Sequence, residues 1–413
     1  MSTLLIKNIG VLATSPDSSI KKGIHQKDIL LMKDAYILCE DGRIRDYDSG
    51  VLPEADEVID AKGKLVTPGL VDAHTHLIFG GWRQNELAMK LAGAGYLDIL
   101  NAGGGILSTV KETRKASKEE LYRKTKGFLD EMLRMGTTTC EAKSGYGLNL
   151  EDEVKQLEVI RELDEKHPMD LVATYLGAHA YPEEYINDHE RYIKEICEKV
   201  IPYVADHKLA EFCDVFCETG VFSKEESERI LLKGKEYGLK SKIHADEIDA
   251  IGGSLLAGEI GAVSAEHLIV CSDEGIAALS KGGVIACLLP ATSFYLSADF
   301  ARARKMIEND VPIAFGSDFN PGSCPCLNLQ LVMNLGCLKY RMTPEEVLNA
   351  VTINAAAAID RADRIGSIEA GKQADLVIWD AEDLNYLCYR MGSNLAHRVI
   401  KKGETVYLNE ETD

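Results

Sequence analysis

The sequence predicts an α/β protein: a closed (β/α)8 TIM-like barrel carrying a small β-sandwich formed by the N- and C-terminal segments. Three observations lead there. Eight short strand-like runs alternate with helical segments between residues 65 and 318. Both chain ends instead hold short strands and tight turns. Histidines and an aspartate recur where the strand-like runs finish, the end at which a parallel barrel builds its loops. A doubly wound open sheet is the alternative, but no Gly-x-Gly-x-x-Gly turn follows the first strand.

In chain order, residues 4–6, 29–32 and 35–38 have β character, and Glu40-Asp41-Gly42-Arg43 is a turn signal. The polar stretch 15–26 reads as a surface loop between early strands. The first barrel strand is the apolar run from Lys64 to Val71, which ends in Asp72-Ala73-His74-Thr75-His76. Ser117 with Glu120 forms a capping box that opens a helix ending near Gly136. Residues 137–141 then make a strand, 151–166 a charged amphipathic helix and 171–176 a strand. A helix over 189–207 precedes a strand at 212–217, and a second capping box, Ser223 with Glu226, leads through a helix to a strand at 241–244. Further strands fall at 262–266, 284–289 and 313–317. The tail returns to β character at 374–379, 397–400 and 405–407, with Lys402-Gly403 turning between the last two. The expected division is 1–66 for the first part of the sandwich, 67–366 for the barrel and 367–413 for the rest of the sandwich.

Composition narrows the function. A formal charge of −20 argues against nucleic acid and anionic membranes as partners, and obliges any anionic substrate to find a local cation. No apolar run is long enough to span a bilayer, and no basic-then-apolar leader opens the chain, so the expected setting is cytoplasmic. The 11 cysteines lack a paired Cys-x-x-Cys framework, so Cys213/Cys217 and Cys324/Cys326 are expected to be free thiols.

The chemistry follows from strand geometry. Residues i and i+2 share a strand face, so His74 and His76 can offer two imidazoles to one point. His179 follows the third strand, His244 ends the fifth, His267 the sixth, and Asp318 follows the eighth. A lone strand-end histidine is as well explained by a satisfied buried polar group. Five histidines and an aspartate at the same barrel mouth instead imply a mononuclear metal site of His74, His76, His244 and Asp318, with a position open for water.

These residues resemble a known family. Thr67-Pro68-Gly69-Leu70-Val71-Asp72-Ala73-His74-Thr75-His76 is similar to the metal motif of the amidohydrolase superfamily, and the run from Gly366 to Val377 to its return into the sandwich. Gly80-Gly81-Trp82-Arg83, the segment from Glu141 to Leu148, Leu176-Gly177-Ala178-His179-Ala180, His244-Ala245-Asp246-Glu247 and Asp318-Phe319-Asn320-Pro321-Gly322-Ser323 resemble the imidazolonepropionase family within it. The resemblance covers essentially the whole chain.

It implies metal-dependent opening of the cyclic amide of 4-imidazolone-5-propanoate to N-formimidoyl-L-glutamate in histidine degradation. It also implies one divalent metal per subunit, zinc or iron, and a homodimer. His267 and Asp318 are assigned to proton handling, with the first acceptor left open between them, and Glu247 to the ring nitrogens. Arg83, Tyr146, His179, Glu247, Asn320, Gly322 and Ser323 match substrate-binding positions, while Tyr96 is left open between a hydroxyl contact and packing. Lys143 is expected in a structural ion pair, with Glu141 as partner, rather than as a carboxylated bridge between two metals. A deaminase or another cyclic amidase on the same scaffold is the alternative, with a non-catalytic scaffold a distant third; a neutral nucleobase would have no use for Arg83 as an anchor.

Overall fold

The computed structural model describes residues 2–93 and 103–410. The N-terminal strands are β1 (Thr3–Thr14), β2 (Leu30–Glu40), β3 (Arg43–Ser49), β4 (Glu57–Asp60) and β5 (Leu65–Pro68). β2 joins the two early runs at 29–32 and 35–38, which the sequence separates by Lys33-Asp34. The strand survives because Asp34 takes a left-handed backbone where the β1–β2 register shifts between Ile6 and Ile9. Asp41 and Gly42, both at positive φ, make the predicted tight turn into β3.

The expected surface loop at 15–26 is in part a buried plug. Lys21 and Gln26 are buried, and the Gln26 carboxamide donates to the Ile313 carbonyl and accepts from the Ile313 N–H, both at 3.1 Å. Polar composition signals a need for hydrogen-bond partners; here the partner is the free backbone at the start of a barrel strand rather than water.

The middle of the chain forms eight parallel strands: β6 (Leu70–Asp72), β7 (Thr137–Lys143), β8 (Asp170–Ala178), β9 (Phe212–Cys217), β10 (Lys240–Ala245), β11 (Ser264–His267), β12 (Ile285–Leu288) and β13 (Ile313–Phe315). They pair in sequence order, and the ring meets beyond β13 and β6, where Thr75 bridges Phe319 and the Asp318 N–H donates to the His74 carbonyl at 2.9 Å. This joint needs Gly316, because a Cβ there would lie 2.6 Å from that of His74. Both predicted capping boxes are present, opening helices Lys118–Arg134 and Lys224–Glu236. The predicted helix over 189–207 is broken by a π-helical turn at Ile196–Val200. Val71, Phe212, Ile285 and Ala314 pack with the helix Ile353–Ala358, which closes one end of the barrel with apolar side chains. The polar mouth lies at the other.

The chain then returns through β14 (Leu376–Trp379), β15 (Ala396–Lys401) and β16 (Glu404–Leu408). β14 pairs with β5, so both ends of the chain share one mixed eight-stranded sheet. Alternation along β14 shows how it is used: Leu376 and Ile378 enter the sheet's own apolar cluster, while Val377 and Trp379 join the large core shared with the barrel. Trp379 is fully buried, and its indole N–H donates to Thr67 Oγ1 at 2.9 Å. Among the described residues no helix is long and apolar enough to cross a membrane.

Candidate active site

β6 ends at Asp72, and the two histidines after it diverge little, so their Nε2 atoms lie 3.2 Å apart. His244, near the end of β10, brings its Nε2 to 3.4 Å from that of His76. Asp318 places Oδ1 3.4 Å from Nε2 of both His74 and His76. It does so from a left-handed backbone, which costs an L-residue about 1–2 kcal/mol. Its other oxygen accepts from Thr292 Oγ1 at 2.6 Å.

The donor atoms fit a divalent cation. A tetrahedral site with metal–ligand distances of about 2.1 Å has edges of about 3.4 Å, the spacing found among His74, His76 and Asp318 and between His76 and His244. His74 Nδ1 lies 3.0 Å from Glu266 Oε2, and His244 Nδ1 3.1 Å from Asp214 Oδ2. A carboxylate can only accept, so these contacts hold the proton on Nδ1 and turn the Nε2 lone pairs toward one another. Converging lone pairs repel unless an electron-pair acceptor sits between them, either a metal cation or the proton that His74 Nε2 otherwise shares with Asp318.

The electrostatics are correspondingly tense. Burial depresses the His74 imidazolium, as does Lys143, yet Asp318 and Glu266 lift its pKa to about 9. Burial carries His76 down to about 4 and His267 to about 3. Burial, reinforced by Asp318, raises the Glu247 carboxyl to about 8.

Beneath the histidines lies a buried ionic layer of residues the sequence reading largely missed. Lys143 Nζ donates to Glu141 at 2.7 Å and to Asp214 at 2.8 Å; Lys242 Nζ donates to Glu141 and to the Ala73 carbonyl, both at 3.1 Å. Lys143 thus has the expected Glu141 pairing and a second carboxylate besides. A carboxylated Lys143 would set a new anion against both. Asp214, Lys242 and Glu266 had a legible signal: a charged residue inside an apolar strand, with Lys242 two positions before His244.

His267, also left-handed, has Nε2 3.6 Å from Glu247 Oε2. His179 stacks on His76 with ring centroids 5.0 Å apart, and its Nδ1 meets the Gly145 carbonyl at 2.9 Å. Tyr146 is buried, with its ring 5.3 Å from His179. Arg83 is partly buried, and its Nε and Nη1 are themselves buried with no hydrogen-bond partner among the described residues. Its guanidinium lies so close to Gly322 that a Cβ there would fall 1.3 Å from Nη2.

The Asn320 carboxamide is occupied within its own loop. It accepts from the Gly322 and Ser323 N–H groups at 2.8 and 2.7 Å and donates to Ser323 Oγ at 2.9 Å. Tyr96 lies outside the described residues. All 11 cysteines are free thiols, and Cys324 is buried.

A family profile described as "Amidohydrolase family" matches residues 65–406. An imidazolonepropionase of Alkaliphilus metalliredigens is 52% identical over 414 residues, spanning 98% of each chain. One from Fusobacterium nucleatum is 53% identical over 409 residues, again 98% of each. Among solved structures, a zinc-bound adenosine deaminase of Xanthomonas campestris superposes with a TM-score of 0.73 at 19% identity, covering 99% of this chain and 94% of that one. Atrazine chlorohydrolase of Arthrobacter aurescens complexed with zinc gives a TM-score of 0.76 at 17% identity, covering 98% and 96%. Those distant likenesses establish the fold, and the near relatives establish the branch. The chain is a hydrolase of the amidohydrolase family and belongs, within it, to the imidazolonepropionases.

Proposed function

We propose that this chain hydrolyses the cyclic amide bond of 4-imidazolone-5-propanoate to N-formimidoyl-L-glutamate, with one divalent metal, zinc or iron, held by His74, His76, His244 and Asp318. The observation that carries the substrate assignment is the hydrogen-bond-deficient guanidinium of Arg83, which lies against Gly322 in the loop that follows Asp318 with its Nε and Nη1 buried. A buried guanidinium with free N–H groups calls for an anion, and a carboxylate matches its fork with two parallel hydrogen bonds.

When bound, the metal lowers the pKa of water to about 7 and polarises a carbonyl oxygen. The remaining work falls to side chains. Asp318 or His267 accepts the proton of the attacking water as the new C–O bond forms at the carbonyl carbon; the ring C–N bond then breaks, and that proton passes to the leaving nitrogen. His267, neutral because burial depresses it, can donate an N–H to the carbonyl oxygen without itself carrying charge. Glu247, protonated near neutral pH, faces the ring nitrogens. Arg83, Tyr146 and His179 orient the substrate, while Asn320 shapes the loop that presents Gly322 and Ser323. The proposal includes a cytoplasmic homodimer, divided into sandwich and barrel at the boundaries given above.

The test is decay of imidazolone ultraviolet absorbance with metal-assayed protein, with and without chelator. Chelator-sensitive decay yielding formimidoyl-glutamate supports the reading. No decay at about one metal per chain would redirect the substrate to other cyclic amides or to deaminase chemistry.

A further inference from the structure

The short helix Glu86–Leu91 follows Arg83 directly and carries two charged residues on one side, Glu86 and Lys90. Glu86 is buried. Its Oε1 lies 3.6 Å from Arg83 Nε and accepts the Gly105 N–H at 2.7 Å; its Oε2 lies 3.5 Å from Lys90 Nζ. Lys90 Nζ in turn donates to the Gly322 carbonyl at 2.8 Å and sits 5.7 Å from the centroid of the Tyr295 ring. Arg83 and Lys90 therefore hold Gly322 together, one packed on its Cα and the other bonded to its carbonyl. The backbone adds one more tie, from the Arg83 N–H to the Pro321 carbonyl at 3.2 Å.

The arrangement differs from a salt bridge made for stability. At 3.6 Å the Arg83–Glu86 contact is too long for a good hydrogen bond, so Glu86 fixes the guanidinium without saturating it. Nε and Nη1 stay unbonded, and the carboxylate that holds them is itself kept back by the Gly105 N–H and Lys90. Two cations around one carboxylate leave a net positive charge next to the loop at 320–323. No described contact makes Glu86 or Lys90 part of the histidine cluster, so neither is a catalytic residue.

We infer that Glu86 and Lys90 are positioning residues for an anionic substrate: together they lock Arg83 against Gly322 so that its free N–H groups face the substrate's carboxylate. This rests on the reading of Arg83 as the carboxylate anchor, and the experiment separates the two. Competitive inhibition is measured with imidazole-4-propanoate and its neutral propanamide, together with KM and kcat, for wild type, R83M, K90M, K90R and E86Q. In K90M the acid should bind about tenfold more weakly, as for loss of a charge-assisted contact, with amide binding and kcat within about twofold; K90R should recover most of the loss. E86Q is the sharper variant. A pure field effect predicts tighter acid binding once the negative charge is removed, whereas positioning predicts weaker binding because Arg83 is released. Equal losses for acid and amide in K90M, or tighter acid binding in E86Q, would overturn the inference while R83M still loses acid selectivity. If R83M keeps that selectivity, the anchor reading fails and this inference fails with it.

Discussion

Replacing Lys143 with methionine probes how much the buried ionic layer holds up the metal cluster. Lys143 is fully buried and serves Glu141 at 2.7 Å and Asp214 at 2.8 Å. Methionine keeps much of the apolar stem but removes the one cation that bonds Asp214 among the described residues, leaving it the neutral His244 Nδ1–H. Glu141 retains Lys242 at 3.1 Å, so the damage concentrates on Asp214. Removing one partner of a buried ion pair costs about 3–5 kcal/mol, because the other charge is left desolvated. With an unfolding entropy of about 2.1 cal/mol/K per residue over this chain, that is a fall in Tm of about 5 °C. Asp214 can relieve itself only by taking up a proton. It would then accept from His244 Nδ1 only as a neutral carboxyl, a weaker partner that no longer raises the basicity of the imidazole, and metal affinity should fall about 10- to 100-fold. Thermal unfolding of the metal-free protein and competition with a chelator report the two effects separately. A variant with unchanged Tm and unchanged metal affinity would refute the account of the layer as an electrostatic support.

Three further outcomes are expected. Arg83→Met should raise KM about 10- to 100-fold, as for loss of hydrogen bonds to a charged group, with metal content retained; unchanged KM would remove Arg83 from the substrate site. His267→Asn should lower kcat by about 10²–10⁴, typical for loss of an acid–base group, again with metal retained, and loss of metal would make His267 a ligand. Asp170 ties the start of β8 to Lys401 at 2.8 Å and Lys402 at 2.6 Å, and although burial opposes it, these lysines hold its pKa at about 2. A carboxyl depressed in the folded state stabilises above its unfolded value. About 2 kcal/mol should therefore be present near neutral pH and lost as pH falls from about 4 through 2. Asp170→Asn should flatten that part of the acid unfolding curve, and an unchanged curve would rule the linkage out.

How much of this was legible beforehand depends on the range of the interaction. Strand and helix positions follow from local periodicity and capping chemistry, which is why seven barrel strands and both capping boxes fall where the sequence places them, whereas the expected first barrel strand, Lys64 to Val71, splits at Gly69 into β5 of the terminal sheet and β6 of the barrel. The His74/His76 pair is equally local, since the i, i+2 rule alone puts both on one face. Residues 15–26 were harder, because polarity does not say whether Gln26 meets water or the backbone of Ile313, 287 positions away. The ionic layer was legible only as isolated charges, for the same reason. Each of Asp214, Lys242 and Glu266 is by itself only a charged residue in a strand, and its meaning arises when β9, β10 and β11 turn those side chains toward a common axis. The sequence by itself determined the elements, their order and the donor residues. Only the tertiary structure decided which donors converge, which nitrogen of each histidine faces a carboxylate, and that the Arg83 guanidinium packs on Gly322, because those depend on distances set by barrel closure rather than by the chain between them.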